Sequence, residues 1–160
     1  ILLLAMHAPG PLSFLSKKEM LRYPLLCHWM KLIDSTFIDR SDIKQGLKVI
    51  LKNIELLKEG VSVSVFPEGT RNKTDALLLP FHDGSFKMAE KSKCPIVVVT
   101  YNNTRNIFES HMPRVEKQHV IMEFSKPFYM ADLDPEDRRH IGKYVSNILI
   151  ENHEKNKELV

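Results

Sequence analysis

The sequence predicts an α/β fold, an αβα sandwich built on a central, mostly parallel or mixed sheet. Three observations predict it. The stretch "VSVSVF", residues 61–66, alternates its side chains with the period of a strand. Directly before it, between Asp42 and Gly60, apolar residues recur with the period of a helix. After it, "PIVVVTY" (95–101) is a short apolar run of the kind that fills a buried strand. Strands alternating with helices are layered by burying one face of each helix on a sheet.

The elements follow in order. "LSFLS" (12–16) reads as a short strand, and "KKEMLRYPLLCHWMKLI" (17–33) as a helix interrupted at Pro24, where a donor is lost and the ring clashes with the preceding turn. "STFID" (35–39) is strand-like. From Asp42, the residues Ile43, Leu47, Ile50, Leu51, Ile54 and Leu57 form one apolar stripe of a helix, and Gly60 stands where the helix end wants a residue tolerant of positive φ. "NKTDALLLPFHDG" reads as a loop, "SFKMAEKS" as a short helix and "HVIMEF" as another strand. Within the loop, "ALLLPF" (76–81) is expected in the core rather than against a lipid chain. In "LDPEDRRHIGKYVSNILIENHEK", Asp134 is a fitting N-cap, Pro135 a first-turn proline and Asp137 an acid at the positive end of the dipole, so a long closing helix is expected. With no repeat, low-complexity tract or linker, residues 1–160 are expected to form a single domain.

Composition narrows the function classes. The 160 residues are 43% hydrophobic, enough for a packed core, and their net charge of +3 is spread over 23 basic and 20 acidic residues. Dispersed, mildly basic charge favours an anionic small molecule or a membrane surface over a nucleic acid. Cys27 and Cys94 make neither a disulfide framework nor a zinc ribbon, which fits a reducing compartment. The longest apolar runs, "ILLLAM" and "PIVVV", fall far short of the roughly 20 residues that cross a bilayer as a helix. Ile1 is not a methionine and no basic stretch precedes its apolar run, so the chain is expected to lack its natural front.

The chemistry concentrates after the strand at 61–66, in "FPEGTR". Gly69 lets the backbone approach a ligand, loop amides and the Thr70 hydroxyl can donate to phosphate oxygens, and Arg71 offers a planar fork suited to phosphate. Glu68 can lock the loop or orient a cation. An ordinary strand-to-loop turn in which Glu68 and Arg71 form a surface salt bridge accounts for the same residues. Elsewhere, His111, Glu116 and His119 fit neither one helical face nor a zinc spacing. Cys27 and His28 are adjacent and point to different sides of a helix, so they form no nucleophile and base pair and are expected to pack. The chain contains no G-x-S-x-G elbow, P-loop or dinucleotide fingerprint.

"VFPEGTR" (65–71) resembles the signature block of the glycerophosphate acyltransferase superfamily, and specifically of its 1-acyl-glycerol-3-phosphate acyltransferases. "SKKEM" (16–20), "YPLLCHWMKLIDSTFIDR" (23–40) and "PFHDGSFKMAEKSKCPIVVVTYNNT" (80–104) resemble further blocks of that family in the same order, over about two-thirds of the chain. Three positions depart from the family's pattern: Asp34 replaces a glycine, His82 a lysine and Val98 a proline.

The resemblance implies a glycerol-3-phosphate acyltransferase-like fold and direct transfer of an acyl group from a thioester of coenzyme A or acyl carrier protein to a lysophosphatidate, giving phosphatidic acid. The family's catalytic element is a histidine, four intervening residues and then an aspartate, the histidine acting as general base. None of the seven histidines here has an aspartate at that spacing. Because the family's aspartate runs into a helix like "ILLLAM", no catalytic residue is expected in this chain and the pair is expected just ahead of Ile1. What the resemblance leaves here is the acceptor-holding half: Lys17, with Lys18 as the fallback, Arg40, Glu68, Gly69, Thr70 and Arg71. It implies no metal and no cofactor beyond the acyl-CoA or acyl-ACP co-substrate. It implies lysophosphatidate, the acyl thioester, a membrane surface and, in some members, acyl carrier protein as partners, with the cytoplasmic face of the cell membrane as location. A non-catalytic lipid-phosphate binding domain on the same fold, or a different glycerolipid acceptor, stands as the alternative.

Overall fold

A computed structural model describes residues 1–39, 41–74 and 76–160. The chain divides into two compact units, Ile1–Arg71 with His82–Cys94, and Asn72–Phe81 with Pro95–Val160.

The first unit contains helix α1 (Leu2–His7), strand β1 (Leu12–Lys17), helix α2 (Pro24–Leu32), strand β2 (Thr36–Ile38), helix α3 (Ile43–Lys58), strand β3 (Ser62–Val65) and helix α4 (Lys87–Ser92). Its sheet is parallel throughout, in the order β2-β1-β3, with Leu15 opposite both Thr36 and Val65. β1 is therefore central, and its Ser13 and Phe14 are fully buried. Phe14 meets Trp29 of α2 with ring centroids 6.5 Å apart. The expected break at Pro24 is present: residues 18–22 form a 3₁₀ turn and Pro24 opens α2, where its missing N–H leaves no helical bond unmade.

Both long-helix signals in α3 hold. The Asp42 carboxylate accepts from the Gln45 amide, and Gly60 takes φ +88° while Val61 N–H bonds Leu56 C=O, a left-handed helix stop. The expected apolar stripe does not hold as one buried surface. Ile54 is buried, but Ile43, Leu47 and Leu51 are exposed. In place of part of that stripe, the fully buried Asn53 carries the helix onto β2, exchanging hydrogen bonds with the Thr36 hydroxyl (2.8 and 3.1 Å) and donating to Val49 C=O.

The second unit pairs β4 (Val99–Asn102) antiparallel with β5 (Ile121–Phe124) and packs helix α6 (Ile141–Asn156) on β4. β4 begins later than the apolar run at 95 suggested; Ile96 makes only an isolated bridge to Phe128, and Val97 faces solvent. Asn102 Nδ2 donates to His153 C=O at 2.9 Å, and Lys155 Nζ to the Glu123 carboxylate at 2.6 Å. The closing helix is not continuous: α5 (Pro135–Arg139) ends at His140, whose ψ of 39° breaks the turn before α6 starts. Asp134 caps it without a side-chain hydrogen bond. "ALLLPF" is only partly interior, Leu77 being exposed while Leu78 and Leu79 are partly buried. A parallel sheet flanked by helices, with a further antiparallel pair, is the mixed α/β architecture that the sequence predicts.

Candidate acceptor site

In a parallel sheet all strands end on one edge, and ligands of open α/β sheets gather there. β1 ends in Lys17, β2 leads into Asp39, and β3 leads into the loop 66–71. Because Leu15 and Val65 are register partners, Lys17 and the "FPEGTR" loop leave neighbouring strands side by side. The fold thus gathers residues more than fifty positions apart in the chain onto one edge.

The loop is shaped by its own backbone. Gly69 N–H bonds Phe66 C=O at 3.0 Å, closing a tight turn, and His82 N–H bonds Pro67 C=O at 2.9 Å, tying the loop to the segment ahead of α4. Gly69 is buried at φ +64°, a region where a Cβ is disfavoured, so the turn itself requires this glycine. Glu68 is partly buried, whereas Thr70 and Arg71 are exposed. Arg71 makes no ion pair among the described residues, so the Glu68–Arg71 surface bridge that would explain the motif structurally is not formed.

The two adjacent lysines differ. Lys18 is ion-paired to Asp39, and a shallow groove of about 320 Å³ is lined by Lys17, Lys18, Glu19, Ile38, Asp39 and Ser41. Asp39 also accepts from the Ser41 amide (3.0 Å) and hydroxyl (2.6 Å), while Gln45 Oε1 accepts from Asp39 N–H and Gln45 Nε2 donates to Phe37 C=O. The Lys18 hydrogen bond, followed by those from Ser41, holds the Asp39 carboxyl down to about 2, and Asp39 in turn raises Lys18 above its ordinary value. Lys17 is exposed and has no charged partner among the described residues. Of the two, Lys17 is the cation left available to an anion. Arg40 lies outside the described residues.

Sequence reasoning missed Asp39, Ser41 and Gln45. The signal was present, since Asp39 follows β2 on the same strand-end edge as Lys17, but "FIDR" drew attention to its arginine alone. His28, expected to pack, is exposed, while Cys27 is buried. His111 Nε2 and Glu116 Oε2 lie 3.4 Å apart on the exposed surface. Among the described residues no group of three His, Cys, Asp or Glu side chains is arranged to hold a metal, and no helix is long and apolar enough to cross a membrane.

A family model described as Acyltransferase matches residues 1–102. The chain is 29% identical over 150 residues to a 1-acyl-sn-glycerol-3-phosphate acyltransferase of Saccharomyces cerevisiae, covering 92% of this chain and 48% of that protein. It is 36% identical over 98 residues to one from Borreliella burgdorferi, covering 61% of this chain and 39% of that one. Among solved structures it is similar to the 1-acyl-sn-glycerophosphate (LPA) acyltransferase PlsC from Thermotoga maritima, with a TM-score of 0.75 over 92% of this chain and 58% of that one, at 24% identity, a likeness of fold. The chain spans about half or less of the length of these curated relatives.

Proposed function

Given that the chain belongs to the acyltransferase family, we propose that it forms the acceptor-holding part of an enzyme that moves a fatty acyl group from acyl-CoA or acyl-ACP to 1-acyl-glycerol 3-phosphate, giving phosphatidic acid. The observation that carries this reading is the strand-end edge on which Lys17 and Arg71 stand without charged partners among the described residues, while Lys18 is neutralised by Asp39. A phosphomonoester carries nearly two negative charges at neutral pH and presents several acceptor oxygens. Arg71 matches two of those oxygens with its fork, Lys17 supplies a point charge, and Thr70 and the amides around Gly69 add neutral donors. Arg40 and Glu68 complete the proposed set, Glu68 as a loop-positioning carboxylate.

The acceptor's own hydroxyl is the nucleophile. Its oxygen bonds to the thioester carbonyl carbon, the carbon–sulfur bond breaks, and the hydroxyl proton leaves through a general base, the thiol departing as the second product. No histidine here has the family's aspartate spacing, so none of the seven is assigned as that base. The reaction takes place where its lipid acceptor resides, at the cytoplasmic face of the cell membrane.

Calorimetric titration of the chain with a short-chain, water-soluble lysophosphatidate tests the reading. Binding that exceeds that of the monoacylglycerol of equal chain length, and that Arg71→Ala weakens about tenfold or more, is expected. Equal binding of the two lipids, or none, overturns it.

A further inference from the structure

The solvent side of α3 carries two parallel rows. Ile43, Leu47 and Leu51 are spaced four residues apart and are 87%, 57% and 48% exposed. Lys44, Lys48 and Lys52 repeat the same spacing one residue on, all exposed and none ion-paired among the described residues. On an α-helix each row climbs one side with a slow drift, so an apolar strip runs alongside a basic strip through the first turns. The opposite side is committed to the fold through Asn53 and Leu56. Glu55 and Glu59 are the acids of the exposed side, and both follow the lysine row.

We propose that this side of α3 docks on an anionic lipid bilayer, lying in the interface plane with Ile43, Leu47 and Leu51 in the boundary between headgroups and acyl chains. Charge complementarity selects this occupant. Three lysines flanking the apolar strip meet lipid phosphates while their stems lie along the apolar surface. α3 begins just after Asp39 and Ser41, so docking it brings the strand-end groove to headgroup level, where a lysolipid phosphate lies; in this respect the proposal rests on the function inferred above.

Co-sedimentation of the chain with phosphatidylcholine vesicles, with and without one-third phosphatidylserine, tests it. The chain is expected to bind the anionic vesicles and to release them at high salt, because the lysine contribution is screened. Leu47→Glu, and separately the triple Lys44→Gln, Lys48→Gln, Lys52→Gln variant, each weaken that binding about tenfold or more, while titration with short-chain lysophosphatidate is unchanged. No vesicle binding by the parent chain, or binding that both variants retain, overturns the proposal. Concentration-dependent self-association abolished by Leu47→Glu in the absence of vesicle binding also overturns it and makes the strip a contact between copies. Vesicle binding lost in both variants, in a chain that does not discriminate short-chain lysophosphatidate from monoacylglycerol, supports the docking surface and removes the acceptor reading.

Discussion

Lys18, one residue past β1, and Asp39, one residue past β2, form an ion pair that bridges the ends of two neighbouring parallel strands. The pair removes one of the two adjacent lysines from competition for an anion and pins Asp39 where its charge is cancelled.

Titration of Asp39 reads this pair directly. Its folded-state value of about 2 lies below the ordinary carboxylate value, so its contribution to stability is present above about 4 and is lost as pH falls toward 2. Carboxyl chemical shifts followed against pH should place Asp39 near 2 in the parent protein and higher in Lys18→Ala. An unchanged midpoint in that variant would show that the Ser41 hydrogen bonds suffice.

Arg71 separates a phosphate clamp from a structural residue. In the whole enzyme, Arg71→Ala is expected to raise KM for lysophosphatidate about ten- to a hundredfold through loss of a charge-assisted contact, with the melting temperature little changed. Arg71→Lys recovers part of the loss, since an ammonium keeps the charge without the fork. An unchanged KM in a destabilised Arg71→Ala protein would defeat the clamp.

With no histidine–aspartate pair at the family's spacing, the 160 residues alone should bind the acceptor yet form no measurable phosphatidate from oleoyl-CoA and lysophosphatidate. A general base contributes roughly a hundred- to ten-thousandfold in rate. Clear turnover by this chain would place the base among its own residues.

Asp34 occupies the left-handed region at φ +53°, ending α2 with its N–H bonded to Lys31 C=O and the next N–H, of Ser35, to Met30 C=O. This is a helix stop built for glycine. Asp34→Gly should stabilise the protein by about 0.5–1 kcal/mol, the left-handed cost of roughly 1–2 kcal/mol offset by the larger freedom of glycine when unfolded. The Ser13 hydroxyl still finds the backbone C=O of residue 34, so the denaturation midpoint should rise. A fall would mean that the Asp34 carboxylate itself stabilises the turn.

The buried Thr36–Asn53 pair offers a test of the packing of α3. Asn53→Ala and Thr36→Val each leave a buried polar group short of a partner and should cost about 1–3 kcal/mol in chemical denaturation. The double variant should cost less than the sum, because the two share one interaction. Strict additivity would show the pair to be uncoupled.

The sequence made local structure legible wherever one residue type enforces a backbone state. Asp42 and Gly60 bounded α3, Pro24 divided the segment 17–33, and the alternation at 61–66 located β3. The tight turn after β3 was legible through Gly69 and its neighbours. What the sequence left hidden depends on tertiary neighbours. The helical period of Ile43, Leu47 and Leu51 marks one side of a helix but does not say whether anything covers it. Asn53 reads as a surface residue until Thr36 is known to face it. Lys17 and Lys18 are indistinguishable in "KKE" until the end of β2 brings Asp39 to one of them. The closing helix looked continuous because His140 carries no breaker signal, and β4 started late because an apolar run shows burial without showing where the ladder begins.

The strand order β2-β1-β3 also sets a timetable for assembly. β1 precedes β2 and β3 in the sequence and lies between them in the sheet, so it must wait for both neighbours. Pairing of Leu15 with Thr36 closes a loop less than half as long as pairing of Leu12 with Ser62, and the shorter closure is entropically cheaper. During synthesis β1 and β2 can meet, carrying Lys18 to Asp39, while the loop bearing Arg71 has yet to emerge. The strand-end edge that carries Lys17 and Arg71 therefore forms in two stages, and until β3 arrives one side of β1 remains an unpaired parallel edge open to misassociation.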